Sequence, residues 1–379
     1  MSGLLLRTSC ATCHNAFTTR SNQWSSIISY FPKRLTARIL STTSIRKSRS
    51  QILLMDKIQL AKQDLDKLKQ DFDVLHLDSS DRQQFLKDCK TKYKDVEGLY
   101  RHFKGPATKV TGLFDKQLVN ELPDKLKFIC HNGAGYDQID VSACTERKIQ
   151  VSNVPTVVDD ATADTALFLL LGTIREFGLA QQNLRQGQFN TGLQLSHDPK
   201  GLVLGVLGLG GIGRAFAKRC QALGMKVQYH NRHRLSPELE QGAIYVDNKD
   251  KLLQTSDVVS LNLPLNDQTR HTIGKREFEL MKPTSILINT ARGPVVDEQA
   301  LVEALEQGQI RGCGLDVFEN EPKVSQGLLK NDKAFLLPHV GTLTVETQSE
   351  METFCLDNLR YGFEHGRLRV TVPEQQGQF

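Results

Sequence analysis

The chain has 379 residues, a net charge of +5, a hydrophobic fraction of 39% and a charged fraction of 24%, the proportions of a soluble globular protein of about two domains. No apolar run approaches the roughly 18 residues of a membrane helix, so membrane insertion is not expected. Eight cysteines scattered over this length fit a reducing compartment and not a disulfide framework.

The positive charge sits at one end. Residues 1–55 hold eight basic residues (Arg7, Arg20, Lys33, Arg34, Arg38, Arg46, Lys47, Arg49), many Ser and Thr, and no Asp or Glu before Asp56. Arg-rich, Ser-rich and acid-free is the composition of a mitochondrial transit peptide, so residues 1–49 read as a leader and the matrix as the address, with the cytoplasm the alternative. Arg38-Ile-Leu-Ser41 resembles a processing site; a cut after Leu40 removes five basic residues and no acid, bringing the charge to zero. A nucleic-acid partner then loses its electrostatic support. Cys10-Ala-Thr-Cys13-His14 has the spacing of a c-type haem attachment, but it lies in the leader and nothing else supports haem.

Beyond the leader, Gln51–Met55 reads as a strand, 57–71 as a charged helix-compatible stretch, Val74–Leu77 as a strand and Asp81–Lys90 as a helix. Leu126–Cys130 is a strand ending in a glycine-containing loop, and Ile149–Val154 is another, stopped by Pro155. Residues 159–175 give the strongest helix signal, with Ala163, Ala166, Leu167, Leu170 and Ile174 on one side. Then come strands over 202–207, 225–229, 257–263, 285–289, 312–317 and 335–338, a helix over 297–307, and a closing helix over 344–362. This alternation predicts an α/β protein of two doubly wound parallel-sheet domains, Rossmann-like and flavodoxin-like. The nucleotide domain (156–337) is inserted into a substrate domain made of 50–155 plus 338–379.

The organising stretch is Gly201–Lys218. An apolar strand runs into Gly208-x-Gly210-x-x-Gly213 and then into Ala215, Phe216, Ala217 and Cys220, a helix face. Strand, glycine turn and helix form the context of a dinucleotide fingerprint. Gly208 allows the turn, Gly210 lets backbone N–H groups approach a pyrophosphate, and Gly213 lets the helix pack on the strand. The helix N-terminus then faces negative charge. About 20 residues on, where NAD enzymes of this fold place an acid for the ribose 2′-hydroxyl, the chain has His230-Asn231-Arg232-His233-Arg234. With Asn231 at the acidic position and Arg232 next, a 2′-phosphate is not repelled and a guanidinium is offered. NADP(H) is expected to be preferred, with NAD(H) also accepted.

Several stretches together resemble the D-isomer-specific 2-hydroxyacid dehydrogenases: Asn132-Gly-Ala-Gly-Tyr-Asp-Gln-Ile-Asp140, the glycine fingerprint, Leu263-Pro-Leu265, Asn289-Thr-Ala-Arg-Gly-Pro-Val-Val-Asp-Glu298, Gly314-Leu-Asp-Val-Phe-Glu-Asn-Glu-Pro322 and Leu337-Pro-His-Val-Gly341. They occur in the family's order across the chain beyond about residue 50. The glycine-loop phrase, with Tyr-His-Asn-Arg at 229–232, looks most like the fungal glyoxylate/hydroxypyruvate reductase branch. The resemblance implies hydride transfer from a nicotinamide cofactor to the carbonyl carbon of a small 2-oxo acid, in a homodimer built on the nucleotide domain.

That chemistry needs fixed positive charge for the substrate carboxylate and developing alkoxide, which Arg292 can supply through its planar fork. It needs a proton for the carbonyl oxygen. His339 is the candidate acid, since an unperturbed imidazole titrates near working pH. Glu321 is carried over as its partner, because a nearby carboxylate favours the protonated ring. The resemblance places the substrate carboxylate on the N–H groups of Ala134 and Gly135. It assigns cofactor contacts to Gly208, Gly210, Gly211, Ile212, Gly213, Asn231, Arg232, His339 and Gly341, puts Thr162 near the phosphates or nicotinamide, Pro264 at the adenosine cleft, and Thr290 and Asp316 at the nicotinamide. Arg101, His102, Phe103 and Leu113 are candidate pocket walls, and His131 is read as a backbone positioner. Asp164 stands where the family more often has Glu. Alternatives are a phosphoglycerate or branched-chain 2-hydroxyacid dehydrogenase, and, outside catalysis, a nucleotide-binding corepressor or scaffold.

Overall fold

The computed structural model describes residues 49–379. The leader, its cleavage site and Cys10–His14 lie outside the described residues.

Strands β1 (Gln51–Leu54), β2 (Asp73–His76), β3 (Val96–His102), β4 (Phe128–Asn132) and β5 (Gln150–Ser152) form a parallel sheet in the order β2-β1-β3-β4-β5. Seven more, β6 (Val203–Leu207), β7 (Lys226–His230), β8 (Ile244–Tyr245), β9 (Val258–Leu261), β10 (Ile286–Asn289), β11 (Gly312–Leu315) and β12 (Ala334–Leu336), form a second parallel sheet in the order β12-β11-β10-β9-β6-β7-β8. The central strands read as unbroken apolar runs because apolar clusters cover both faces of each sheet. Strand order reverses between β1 and β3 in the first sheet and between β6 and β9 in the second. In open parallel sheets ligands bind at the carboxyl ends of the strands at such switch points.

Five helices carry the rest of the argument: α1 (Lys62–Asp71), α2 (Asp159–Ile174), α3 (Phe177–Arg185), α4 (Gly211–Ala222) and α5 (Val345–His365). Helix α2 buries Ala163, Ala166, Leu170 and Ile174 and packs on α4 and β11 of the second sheet. Helix α5 returns to the first sheet, packing on β3, β4 and α1. The last residues do likewise: Val372 is fully buried, and Gln375 Oε1 accepts from Val151 N–H at 2.7 Å.

Three departures from the sequence reading are informative. Val96–His102 is a strand although Glu97, Gly98 and Arg101 interrupt its apolar pattern. Phe363 covers Gly98, so a Cβ there would come within 2.9 Å of the ring, and buried polar partners absorb Arg101. Helix α1 starts at Lys62 and not at residue 57, because residues 57–61 form the loop after β1. Helix α3, with its polar Gln181-Gln-Asn-Leu-Arg185, escaped the periodicity argument.

Helix α1 begins at Ala61, which has no capping side chain. The loop that leads into it is held from α5 instead: Glu352, 5% exposed, accepts from the N–H groups of Gln59, Leu60 and Ala61 at 2.8 Å each. A carboxylate near a helix N-terminus also meets the positive end of its dipole. Glu352→Ala is expected to cost about 2 kcal/mol in urea unfolding. An unchanged unfolding midpoint and slope would remove the cap from the list of stabilising contacts.

Candidate active site

The glycine turn follows β6 at the second sheet's switch point. Gly208 has φ +94°, a conformation that suits glycine. A Cβ at Gly213 would lie 2.5 Å from the Gly208 carbonyl oxygen, so only glycine lets α4 start this close to the strand. Nothing approaches the space above Gly210, and α4 begins at Gly211 with its N-terminal N–H groups free to meet an anion. Asn231, at the end of β7, braces the turn: its Oδ1 accepts from Leu209 N–H at 2.7 Å.

Ala134, Thr162, Ile212, Thr290, Arg292, Asp316, His339 and Gly341 line one narrow cleft with Phe103, Val158, Thr342 and Met351. The sequence had placed nine of these twelve, Phe103 among them, in the site from seven separate stretches. Thr290 Oγ1 is buried there with no hydrogen-bond partner. An orphaned hydroxyl and an open glycine turn at one sheet edge fit a dinucleotide whose polar groups complete them. Pro264 follows β9 at the same edge, where its neighbours Asn262 and Leu263 abut Gly208.

His339 Nδ1 lies 2.8 Å from Glu321 Oε2. With a carboxylate accepting there, Nδ1 carries the proton and Nε2 is left for chemistry. Glu321 Oε1 accepts from Phe318 N–H at 3.1 Å. Burial works against ionisation of Glu321, but the hydrogen bond and charge of His339 outweigh it and bring the carboxyl below its ordinary value. His339 has φ +58°, uncommon for a residue with a side chain. Asp316 holds the segment in that shape, accepting from Val340 N–H at 2.7 Å and Gly341 N–H at 2.8 Å. Burial pushes the Asp316 carboxyl up, against those two hydrogen bonds. Asp316 therefore positions the histidine as well as lining the cleft.

Opposite lies the loop after β4. Arg292 donates from Nε to Asp137 Oδ1 at 2.8 Å and from Nη1 to the Ala291 carbonyl at 2.9 Å, and a Cβ at Gly135 would collide with its guanidinium. Fully buried His131 holds Gly135: its Nε2 lies 2.9 Å from the Gly135 carbonyl and its Nδ1 3.0 Å from Arg101 Nη1. Arg101 can only donate, so Nδ1 accepts and Nε2–H donates. Burial first, and the Arg101 charge second, push His131 well below its ordinary value, so the ring is neutral. Burial likewise lowers the Arg101 guanidinium, to about 10. Arg101 also donates to Gln138 Oε1 at 2.7 Å, and Asn153 Nδ2 donates to the Ala134 carbonyl at 2.6 Å.

Some sequence candidates stand elsewhere. Arg101 points into the domain and walls no pocket, and Leu113 is 59% exposed. Arg232 is exposed, and no ion pair is found for it among the described residues. Asp164 pairs with Arg219 at 2.7 Å on the surface. Asp137 was in the quoted motif, but only the fold reveals its tie to Arg292 across 155 residues. Lys104 gave no signal in sequence; its Nζ donates to the carbonyls of His339 (3.1 Å) and Pro338 (3.3 Å).

A second, larger cavity of about 930 Å³ opens at the first sheet's switch point. Its walls come from the loop after β1 (Met55, Asp56, Lys57, Leu60), the loop after β3 (Phe103, Lys104, Val110) and the chain around His339 (Leu343, Val345). Phe103, His339 and Thr342 border both spaces.

A family model described as the D-isomer specific 2-hydroxyacid dehydrogenase, NAD binding domain, matches residues 167–341. The chain is 50% identical over 328 residues to 4-methyl-2-oxopentanoate reductase A of Aspergillus oryzae, covering 86% of this chain and 99% of that one. It is 42% identical over 337 residues to glyoxylate reductase 1 of Saccharomyces cerevisiae, covering 86% and 95%. Among solved structures, a glyoxylate reductase from Paecilomyes thermophila matches with a TM-score of 0.84 at 48% identity, over 87% of this chain and all of that one. An NADPH-dependent glyoxylate/hydroxypyruvate reductase from Sinorhizobium meliloti, in complex with NADP and malonate, matches with a TM-score of 0.76 at 33% identity, over 86% and 98%.

The lowered Glu321 carboxyl fixes a sign for pH dependence. Its folded-state value lies below the ordinary 4.5, so its contribution to stability is present above that value and lost as pH falls through the folded one. Glu321→Gln should therefore be less stable than wild type at neutral pH, with the gap closing below about pH 4.5. Urea midpoints at a series of pH values measure this; a gap independent of pH would mean that Glu321 is not held as the anion.

Proposed function

The chain belongs to the D-isomer-specific 2-hydroxyacid dehydrogenase family, and from that premise we propose that it reduces a small 2-oxo acid, glyoxylate or hydroxypyruvate, to the D-2-hydroxy acid with NADPH. The observation that carries the reading is the Glu321–His339 pair at 2.8 Å, bordering the same cleft as Arg292 and the unpartnered Thr290 hydroxyl. A reduced nicotinamide bound in this cleft supplies a hydride. The protein does the rest. Ala134 and Gly135 offer N–H groups to the substrate carboxylate, with Arg292 beside them. His339 Nε2–H donates its proton to the carbonyl oxygen, and Glu321 stabilises the charged ring before transfer. Arg292, fixed by Asp137, holds charge at the oxygen where negative charge develops. His339→Ala should leave NADPH binding near wild type and reduce turnover by about 10²–10⁴. Undiminished turnover would remove His339 as the acid.

The preference for NADPH rests on Asn231 and Arg232. The Asn231 Oδ1 is occupied by Leu209 N–H, residues 231–237 after β7 contain no carboxylate, and Glu240 is paired with Arg234 at 2.8 Å. Arg232 is left for a 2′-phosphate. Arg232→Ala should lower the NADPH-over-NADH ratio of kcat/KM by about tenfold; a ratio that stays put refutes the assignment.

A second reading, a branched-chain 2-oxo acid as the better substrate, is favoured by the large cavity beside His339 with its apolar walls Leu60, Val110, Leu343 and Val345. Glyoxylate would leave that space empty. Comparing kcat/KM for glyoxylate, hydroxypyruvate and 4-methyl-2-oxopentanoate with both cofactors separates the two. We also infer a homodimer through the nucleotide domain, where Phe168, Phe177, Leu184, Phe189 and Leu195 are 46–99% exposed on and after α2 and α3. Sedimentation should give twice the chain mass, and Phe189→Asp should lower it. The acid-free composition of residues 1–55 supports a mitochondrial address, which fractionation of cells expressing the full chain would test. No helix among the described residues is long and apolar enough to cross a membrane.

A further inference from the structure

His339 is held from two sides. From its own side Asp316 takes the N–H groups of Val340 and Gly341. From the other, Lys104, in the loop after β3, reaches across and donates to the His339 carbonyl at 3.1 Å and the Pro338 carbonyl at 3.3 Å. The same ammonium lies 3.8 Å from Glu321 Oε2, the oxygen that contacts His339. Its own backbone is fixed, with Lys104 N–H donating to His102 Nδ1 at 3.0 Å, and the ring of the preceding residue, Phe103, lies 5.4 Å from the His339 ring. An exposed lysine contacting two carbonyls and a carboxylate of another sheet's segment is not an incidental surface charge, and its targets flank a residue in a left-handed conformation.

We propose that Lys104 is a positioning residue for the proton donor. It holds the His339 backbone from the loop after β3 and shares the Glu321 carboxylate with the imidazole, so the acid is fully set only with that loop in place. This rests on the reading of His339 as the acid.

The charged groups around the ring are few. Glu321 and Asp316 come from the nucleotide domain, Lys104 and His102 from β3 and its loop, and Arg292 borders the same cleft. Asp56 and Glu352 also line the larger cavity, but backbone N–H groups take up their oxygens. Lys104 therefore brings a lysine ammonium from the first sheet to the Glu321–His339 pair. Its charge opposes the imidazolium and supports the Glu321 carboxylate. Removing it loosens the segment.

The test uses the full chain with NADPH and glyoxylate, or 4-methyl-2-oxopentanoate if that is turned over faster. Lys104→Met, Lys104→Arg and His339→Ala are measured side by side. Lys104 is a surface residue, so its variants should fold, and thermal melts check this. Lys104→Met should lower kcat by about tenfold and leave the oxo-acid KM and the NADPH Kd within about twofold. Lys104→Arg should recover most of kcat, since its fork can reach the same acceptors. Unchanged kcat in Lys104→Met would overturn the proposal. So would a loss confined to KM, which would make Lys104 a substrate contact. If His339→Ala retains turnover, the acid assignment itself fails; if it is inactive while Lys104→Met behaves as wild type, only the role of Lys104 fails.

Discussion

The arrangement depends on one contact, the 2.8 Å hydrogen bond between Glu321 and His339 Nδ1. It sets the tautomer, orients the ring and leaves Nε2 for the substrate. A carboxylate this close to an imidazole holds a proton donor ready only if both stay in register, and both stand on loops. Glu321 is pinned by Phe318 N–H, and the His339 segment by the two oxygens of Asp316. The strained backbone at His339 persists because its neighbours over-determine it.

Two switch points converge on that pair. The second sheet brings the glycine turn and Thr290 to its carboxyl edge, and the first brings the loops after β1 and β3. Arg101, His131 and Gly135 form a second rigid line, running from the interior of the first domain to the carboxylate loop. The neutral ring between a permanent cation and a carbonyl fixes which nitrogen donates, and so fixes the loop. Arg292 gains its orientation from the same loop through Asp137. Acid and cation are thus each positioned by partners that are remote in sequence.

Much of this was legible in the residues because the signals were local. The fingerprint, the apolar central strands and the short phrases around Arg292, Glu321 and His339 announce themselves within ten residues each. What could not be read was compensated from afar. Strand β3 was not read as a strand, since nothing nearby says that Phe363 covers Gly98 or that His131 and Gln138 receive Arg101. Lys104 carries no motif and Asp137 was quoted without a role, and their partners lie 235 and 155 residues away. Asn231 was read as a cofactor contact, and its carboxamide braces the glycine turn, a role that only the fold displays.

Helix α5 and the tail through Gln375 complete a sheet whose five strands are all made before residue 153. During synthesis those strands leave the ribosome without the layer that covers one of their faces, and α1 leaves it without its Glu352 cap. The inserted domain has all its parts as soon as β12 emerges and can close first. The first-made sheet is therefore the last to become native, and a chain cut short within α5 would carry a finished nucleotide fold attached to an open sheet.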